Sequence, residues 1–175
     1  MEPVRNDTTA DRRTAVELAK RLLVDSIWRT AKIEVDGVTF PDTQEIFDGR
    51  APEGMSVDDI VTVNNIKRAW RFLLDNIDYP VDWQYIREYN RIIGEGLVRD
   101  AGRLREYGVR IGGTGWVPEI PTVESSQERV RGILEESEGE DTAMLLFGAV
   151  TRGQWFSDGN KRTALMVANH QLCLL

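Results

Sequence analysis

A mainly α-helical fold, a helical bundle carrying one β-hairpin flap near residues 108–118, is predicted by three observations. Apolar residues recur at three- and four-residue spacing over several long stretches, as on one face of a helix. Capping residues, glycines and prolines punctuate those stretches where helices should start and stop. The exception is Gly112-Gly113-Thr114-Gly115, which allows a tight reversal between alternating Val109, Arg110 and Ile111 and a returning Trp116-Val117. With 175 residues, 41% of them hydrophobic, the chain can bury the core of one domain.

Thr8 and Thr9 can cap a first helix, whose apolar positions Ala15, Leu18, Leu22 and Ile27 run to about Ala31. Asp36-Gly37 separates two β-prone runs, 32–35 and 38–40, and predicts a short hairpin or loop within residues 33–50. Ala51-Pro52-Glu53-Gly54 then breaks the chain. Residues 1–55 are thus expected to form an N-terminal helix and hairpin-like segment, a candidate regulatory unit, and residues 56–175 a compact core. In that core, Ser56 and Asp59 begin a helix with Ile66, Trp70, Leu73 and Ile77 on one face, stopped by Tyr79-Pro80. Further helices are expected over 82–97, 124–137 and 141–152. A last one carries Leu165, Val167, Ala168, Leu172 and Leu175. That pattern reaches Leu175 without a stop signal, and raises the expectation of further residues in a longer parent chain or of a partner over that end.

Composition narrows the function classes. No run of eighteen apolar residues exists, and residues 1–11 lack a secretory signal, so the expectation is a cytoplasmic protein with no membrane partner. Cys173 has no second cysteine, and His170 is the sole histidine, so any metal must be held by oxygen. A net charge of -7 argues against nonspecific nucleic-acid binding, with Arg99, Arg103, Arg105 and Arg110 as a local exception. The plainer reading of those arginines is a solvated helix end with salt bridges.

The chemistry concentrates in residues 154–165. Asp158 is a hard oxygen ligand just before a helix start, suited either to a magnesium ion bridging phosphate oxygens or to capping the helix. Gly159 lets backbone approach a ligand, and Asn160, Lys161 and Arg162 continue a nest of amides and cations. Cations there oppose the positive end of the helix dipole, a local conflict that a functional site produces. Phe156 is expected to plug the core, with Trp155 beside it or facing a ligand. Gln154 is neutral and cannot serve as a general base. His170 lies eight residues beyond Arg162, about 12 Å along a helix, and reads as structural.

Phe156, Asp158, Gly159, Asn160, Lys161 and Arg162 resemble, in register, the Fic/Doc motif His-x-Phe-x-Asp/Glu-Gly/Ala-Asn-Gly/Lys-Arg, often extended by x-x-Arg. Ala101-Gly102-Arg103-Leu104-Arg105 looks like that family's Ala-Gly-x-x-Arg segment. The resemblance spans residues 22–171 and implies a helical bundle with a β-hairpin flap. It further implies ATP and magnesium as cofactors, with AMP transfer to a protein hydroxyl in most members and phosphate transfer in the Doc branch. Asp158 would bind the metal, Gly159, Asn160, Lys161 and Arg162 the nucleotide phosphates. Gly112, Gly113, Thr114, Gly115 and Trp116 would dock a protein target by strand addition. An antitoxin-like partner or a homo-oligomer is a further implied association.

Two departures qualify the resemblance. Gln154 stands where the family has its catalytic histidine, and Leu165 where it has a second arginine. Loss of a general base costs about 10²–10⁴-fold in rate, so the expected function is a nucleotide-binding pseudoenzyme or regulatory module. The alternative is an active transferase moving AMP or phosphate. Thr30 to Glu34 resembles the inhibitory pattern Ser/Thr-x-x-x-Glu-Gly/Asn, but Val35 departs from it and Leu165 removes the usual arginine partner. Glu34 is accordingly read three ways: as an inhibitory vestige, as an ion-pair partner of Arg162, or as a solvated residue.

Overall fold

The structure, a computed structural model, describes residues 8–175, apart from the side chains of 8–11, 20 and 21. Within that span the chain forms α1 (Thr8–Arg21), α2 (Leu23–Ala31), α3 (Phe40–Phe47), α4 (Val57–Asp75), α5 (Trp83–Gly94), α6 (Val123–Glu136), α7 (Gly139–Gly153) and α8 (Asn160–Cys173). The mainly α prediction holds. Capping by Thr8 and Thr9 rests on side chains outside the described residues.

The single first helix divides at Leu22, whose ψ of 12° leaves the helical region while flanking i to i+4 bonds persist. Leu18 and Leu22 are exposed, contrary to the expected apolar face, and Val16 packs toward the core instead. No hairpin forms in residues 33–50. Backbone turns follow α2, and then Thr39 and Asp42 make a reciprocal capping box, with Pro41 in the first turn of α3. Those local bonds outweigh the β propensity of residues 38–40.

Along α4, Ile66, Trp70, Leu73 and the following Ile77 are buried as the spacing predicts, each contributing about 1.5–3 kcal/mol of burial. Trp70 Nε1 donates to Thr30 Oγ1 of α2 at 3.3 Å. On the other side, Asn65 Nδ2 donates to the carbonyls of Ile93 and Glu95, at 3.1 and 2.7 Å. The end of α5 thereby finds donors that the helix itself cannot supply.

The most enclosed element is α8, packed against α7 and α5 and touching α4. Its inward residues are Thr163, Ala164, Met166, Val167, Ala168 and His170, whereas Leu172 and Leu175 are exposed and Leu165 is half-buried. The apolar series expected for this helix was therefore off by part of a turn. A helix surrounded by neighbours admits small and polar residues inward, provided the polar ones are bonded. His170 meets that condition: Nδ1 lies 2.8 Å from the Tyr89 hydroxyl and Nε2 3.1 Å from the Tyr79 carbonyl. With Nε2–H donating to that carbonyl, Nδ1 accepts from the tyrosine.

The β-hairpin flap expected near 108–118 is absent. Residues 111–116 instead form a turn built on Thr114, whose N–H and hydroxyl both donate to Ile111 O, at 3.2 and 3.0 Å. The one cross-chain backbone bond, Ile111 N to Trp116 O, is long at 3.5 Å. Gly112, Gly113 and Gly115 offer no side chains to pair across two strands, and an unsupported hairpin is marginal in water.

Burial depresses the pKa of His170 below the ordinary histidine range. The unfolded chain therefore takes up a proton more readily than the folded one. Stability should be full above the ordinary histidine pKa and fall as pH drops through and below it. Thermal unfolding scans should show this acid loss in the parent protein and a smaller one in His170→Gln.

Candidate functional site: the loop between α7 and α8

α7 ends at Gly153, and Gln154 takes up the left-handed conformation at φ 45° and ψ 51°. Among the described residues, Gln154 is the single non-glycine with positive φ, a strained position for a side chain with a Cβ. Its amide closes the turn: Nε2 donates to Thr151 O at 2.7 Å, and Oε1 accepts from Asn160 Nδ2 at 3.3 Å. Trp155 and Phe156 are both buried beneath the loop, meeting Trp83 edge-on at 5.5 Å and nearly parallel at 6.3 Å. Trp155 thus joins Phe156 in the core.

Asn160 staples the loop. Its Oδ1 accepts from Phe156 N at 3.0 Å, and its Nδ2 also donates to Phe156 O at 2.9 Å. From α5, Asn90 Nδ2 donates to Asp158 O at 2.8 Å and to Thr163 Oγ1 at 3.1 Å, while its Oδ1 accepts from Gly102 N at 2.8 Å. Gly159 precedes α8 at φ 75°, where a Cβ would press to 3.3 Å on both Asn90 and Ile93. That glycine is needed for both reasons.

The start of α8 has no side-chain cap, and Asp158 does not fill that role. The first backbone N–H groups of α8 therefore remain available to an anion, at the positive end of the helix dipole. Lys161 is exposed beside them, while Arg162 is buried, with Nη2 3.5 Å from Asp158 Oδ2 and Nε 3.4 Å from Glu34 Oε1. The latter contact has ion-pair distance without hydrogen-bond geometry, so Arg162 Nε keeps an unused donor. Of the three readings of Glu34, the ion pair with Arg162 is the one the fold assembles.

Arg105 is buried, against the plainer reading of these arginines as solvated, whereas Arg99, Arg103 and Arg110 are exposed. Its guanidinium donates to four backbone carbonyls: Gln154 and Gly153 of the loop, and Tyr107 and Glu119 on either side of the turn at 111–116. Burial pushes this group below the ordinary arginine value. A backbone bond from Arg105 N to Trp155 O, at 3.0 Å, and a bridge between Leu104 and Phe156 complete the join. Trp116 is held there too, its ring 4.6 Å from the Arg152 guanidinium and its N–H donating to Arg152 O at 3.0 Å. Gly112, Gly113, Thr114 and Gly115 project from this join into solvent.

The structure thus gathers Gln154, Asp158, Gly159, Asn160, Lys161, Arg162 and Glu34 about one helix start, with the turn at 112–116 alongside. Sequence reasoning missed Asn90 and the Asp100 carboxylate, which accepts from Ser157 Oγ at 2.7 Å. Asn90 carried a legible signal, a lone amide on an otherwise apolar helical face. No cluster of three or more metal-ligating side chains exists among the described residues, so a magnesium ion would meet few protein carboxylates there. A single exposed carboxylate beside a phosphate cradle suits a magnesium ion that arrives on phosphates and keeps several waters. Asp158, exposed beside the α8 start, is the residue that would hold it.

The model of the Fic/DOC family matches residues 80–172, more than half of the chain, and the chain belongs to that family. Among solved structures, a Fic domain-containing signaling protein from Bacteroides thetaiotaomicron VPI-5482 is 17% identical, with a TM-score of 0.71 over 99% of this chain and 68% of its own. Fic-1 from C. elegans is 18% identical, at 0.76 over 95% of this chain and 58% of the solved fragment. A Fic family protein from Desulfovibrio desulfuricans G20 is 16% identical, at 0.69 over 98% and 58%. At these identities the likeness is one of fold, and the chain spans between 58% and 68% of those chains. A comparison with curated proteins found no match.

Arg105→Met should leave four partly buried carbonyls without this donor and lower the unfolding free energy by about 3 kcal/mol. Urea titration measures it. A loss under about 1 kcal/mol would mean that the guanidinium does not hold the loop.

Proposed function

We propose that this chain holds the phosphates of a nucleotide at the start of α8 and serves as a nucleotide-binding regulatory module impaired in group transfer. One observation carries the reading: the Gln154 amide is bonded at both ends, to Thr151 and Asn160, directly beside uncapped helix amides. Its two polar atoms shape the loop, and neither takes a proton at neutral pH. The cradle is assembled while hydroxyl activation is lost.

In this reading, the amides at the α8 start and the spare donor of Arg162 bind phosphate oxygens, with Lys161 adding charge from the surface. ATP is the nucleotide the family relation favours. Asp158 would hold magnesium, which neutralises phosphate charge when bound. Glu34 competes for the Arg162 guanidinium and so restrains anion entry. Here it meets the first arginine of the motif, since Leu165 leaves no second. A protein target would dock over the exposed backbone at 112–116, against Trp116.

A second reading, an active transferase moving AMP or phosphate from ATP to a protein hydroxyl, is supported by the pre-formed cradle. Amides already aimed at developing charge lower a barrier without a base.

Calorimetry should find ATP binding in the presence of magnesium, weakened about tenfold or more in Arg162→Ala. Absence of heat from the parent protein would end both readings. Glu34→Ala should tighten binding by about two- to fivefold, the worth of a partly exposed ion pair. With labelled ATP and a cell lysate, Gln154→His should raise transfer by about 10²–10⁴-fold. Equal labelling by both proteins would favour the transferase.

A further inference from the structure

A second recess, of about 440 Å³, opens beside the N-terminal end of α5, away from the α8 cradle. Trp83 lines it and lies seven residues before Asn90, about 10 Å along the helix. Three arginines line it, Arg87, Arg103 and Arg105, against a single acidic residue, Glu106. Arg87 spends its Nε on Gly102 O, at 3.1 Å. Among the described residues, no carboxylate lies within ion-pair distance of any of the three. This is unusual in a chain whose net charge is -7.

Three independent features converge on that recess. Thr122 and Val123, the N-cap and first residue of the 14-residue α6, form part of its wall. The Thr122 hydroxyl serves Ser125 N, which leaves the N–H groups of Val123 and Glu124 without a cap. Arg105, 1% exposed, is a buried cation whose partners are all neutral carbonyls. The Trp83 indole N–H, on a residue 4% exposed, has no acceptor at all. Buried charges and donors are normally matched, and an anion in the recess would match both the charge and the helix end.

We propose that this recess is a binding site for the phosphate group of a small phosphate monoester, separate from the α8 cradle. Arg87 and Arg103 supply paired, charge-assisted hydrogen bonds, and the first amides of α6 close over the remaining oxygens. Ile120 and Val123, both substantially exposed, offer apolar surface to the ester's carbon skeleton. The volume suits a small molecule.

The test uses the full chain labelled with ¹⁵N and titrated with inorganic phosphate, chloride being the control at matched ionic strength. Saturable shifts are expected at the Val123 amide and the Trp83 indole, and Arg103→Gln should weaken them about tenfold. Arg103 is exposed and unbonded, so this variant should fold, and its Asn160 to Arg162 amides should respond to phosphate as in the parent. Those loop amides report on the α8 cradle independently, so failure of one site is distinguishable from failure of the other. The proposal is overturned by no saturable shift at Val123 up to roughly 50 mM phosphate. It is equally overturned by the same shift in chloride, an adventitious ion only, or by shifts that Arg103→Gln leaves unchanged.

Discussion

Arg105 brings a positive charge into the protein interior where no carboxylate meets it, and the loop between α7 and α8 takes its position from that fact. A guanidinium presents five donors in a rigid fork, and here the fork is satisfied by carbonyls from three separate stretches of backbone. Each of those carbonyls is a partly buried acceptor at a helix end or in a loop, and such groups are normally bonded. One side chain therefore aligns the end of α7, the turn at 111–116 and the segment before α6. A lysine, with a compact ammonium, could not span them.

On this frame the loop is closed by amides. Asn160 fastens Phe156 and Gln154, and Asn90 fastens Asp158 and Thr163, so the start of α8 is held open without a capping side chain. Asn and Gln amides close the loop within the Arg105 frame, while backbone N–H groups at the α8 start and the Nε of Arg162 remain without partners. Gln154 fits this division: it contributes to the architecture of the turn at a strained φ and offers no proton-transfer chemistry. The cations that oppose the dipole of α8 are likewise separated, Lys161 outward and Arg162 inward against Glu34 and Asp158.

Much of this was legible in advance. Ser56 and Asp82 begin their helices where a capping residue should, and Ile66, Trp70 and Leu73 face inward as their spacing requires. The motif residues 154–162 are legible in register because they are contiguous in the chain, so one short stretch displays the whole pattern. The errors share one cause. The hairpins at 33–50 and 108–118 followed turn residues and β propensity, which are weak where no neighbouring strand completes a sheet. The α8 face was misplaced because a helix enclosed by others loses its single apolar stripe.

The sequence by itself determined the family, the helical class and a motif loop with Gln154 in place of the family's histidine, since these depend on residue types at short separations. Tertiary structure alone decided that Arg105 is interior, that Asn90 braces the loop from α5, and that Glu34 reaches Arg162 across 128 residues of chain. Those facts depend on which helices pack together and on where long, flexible side chains find partners. A periodic pattern identifies the face of a helix that is buried, but not the polar group that waits opposite it.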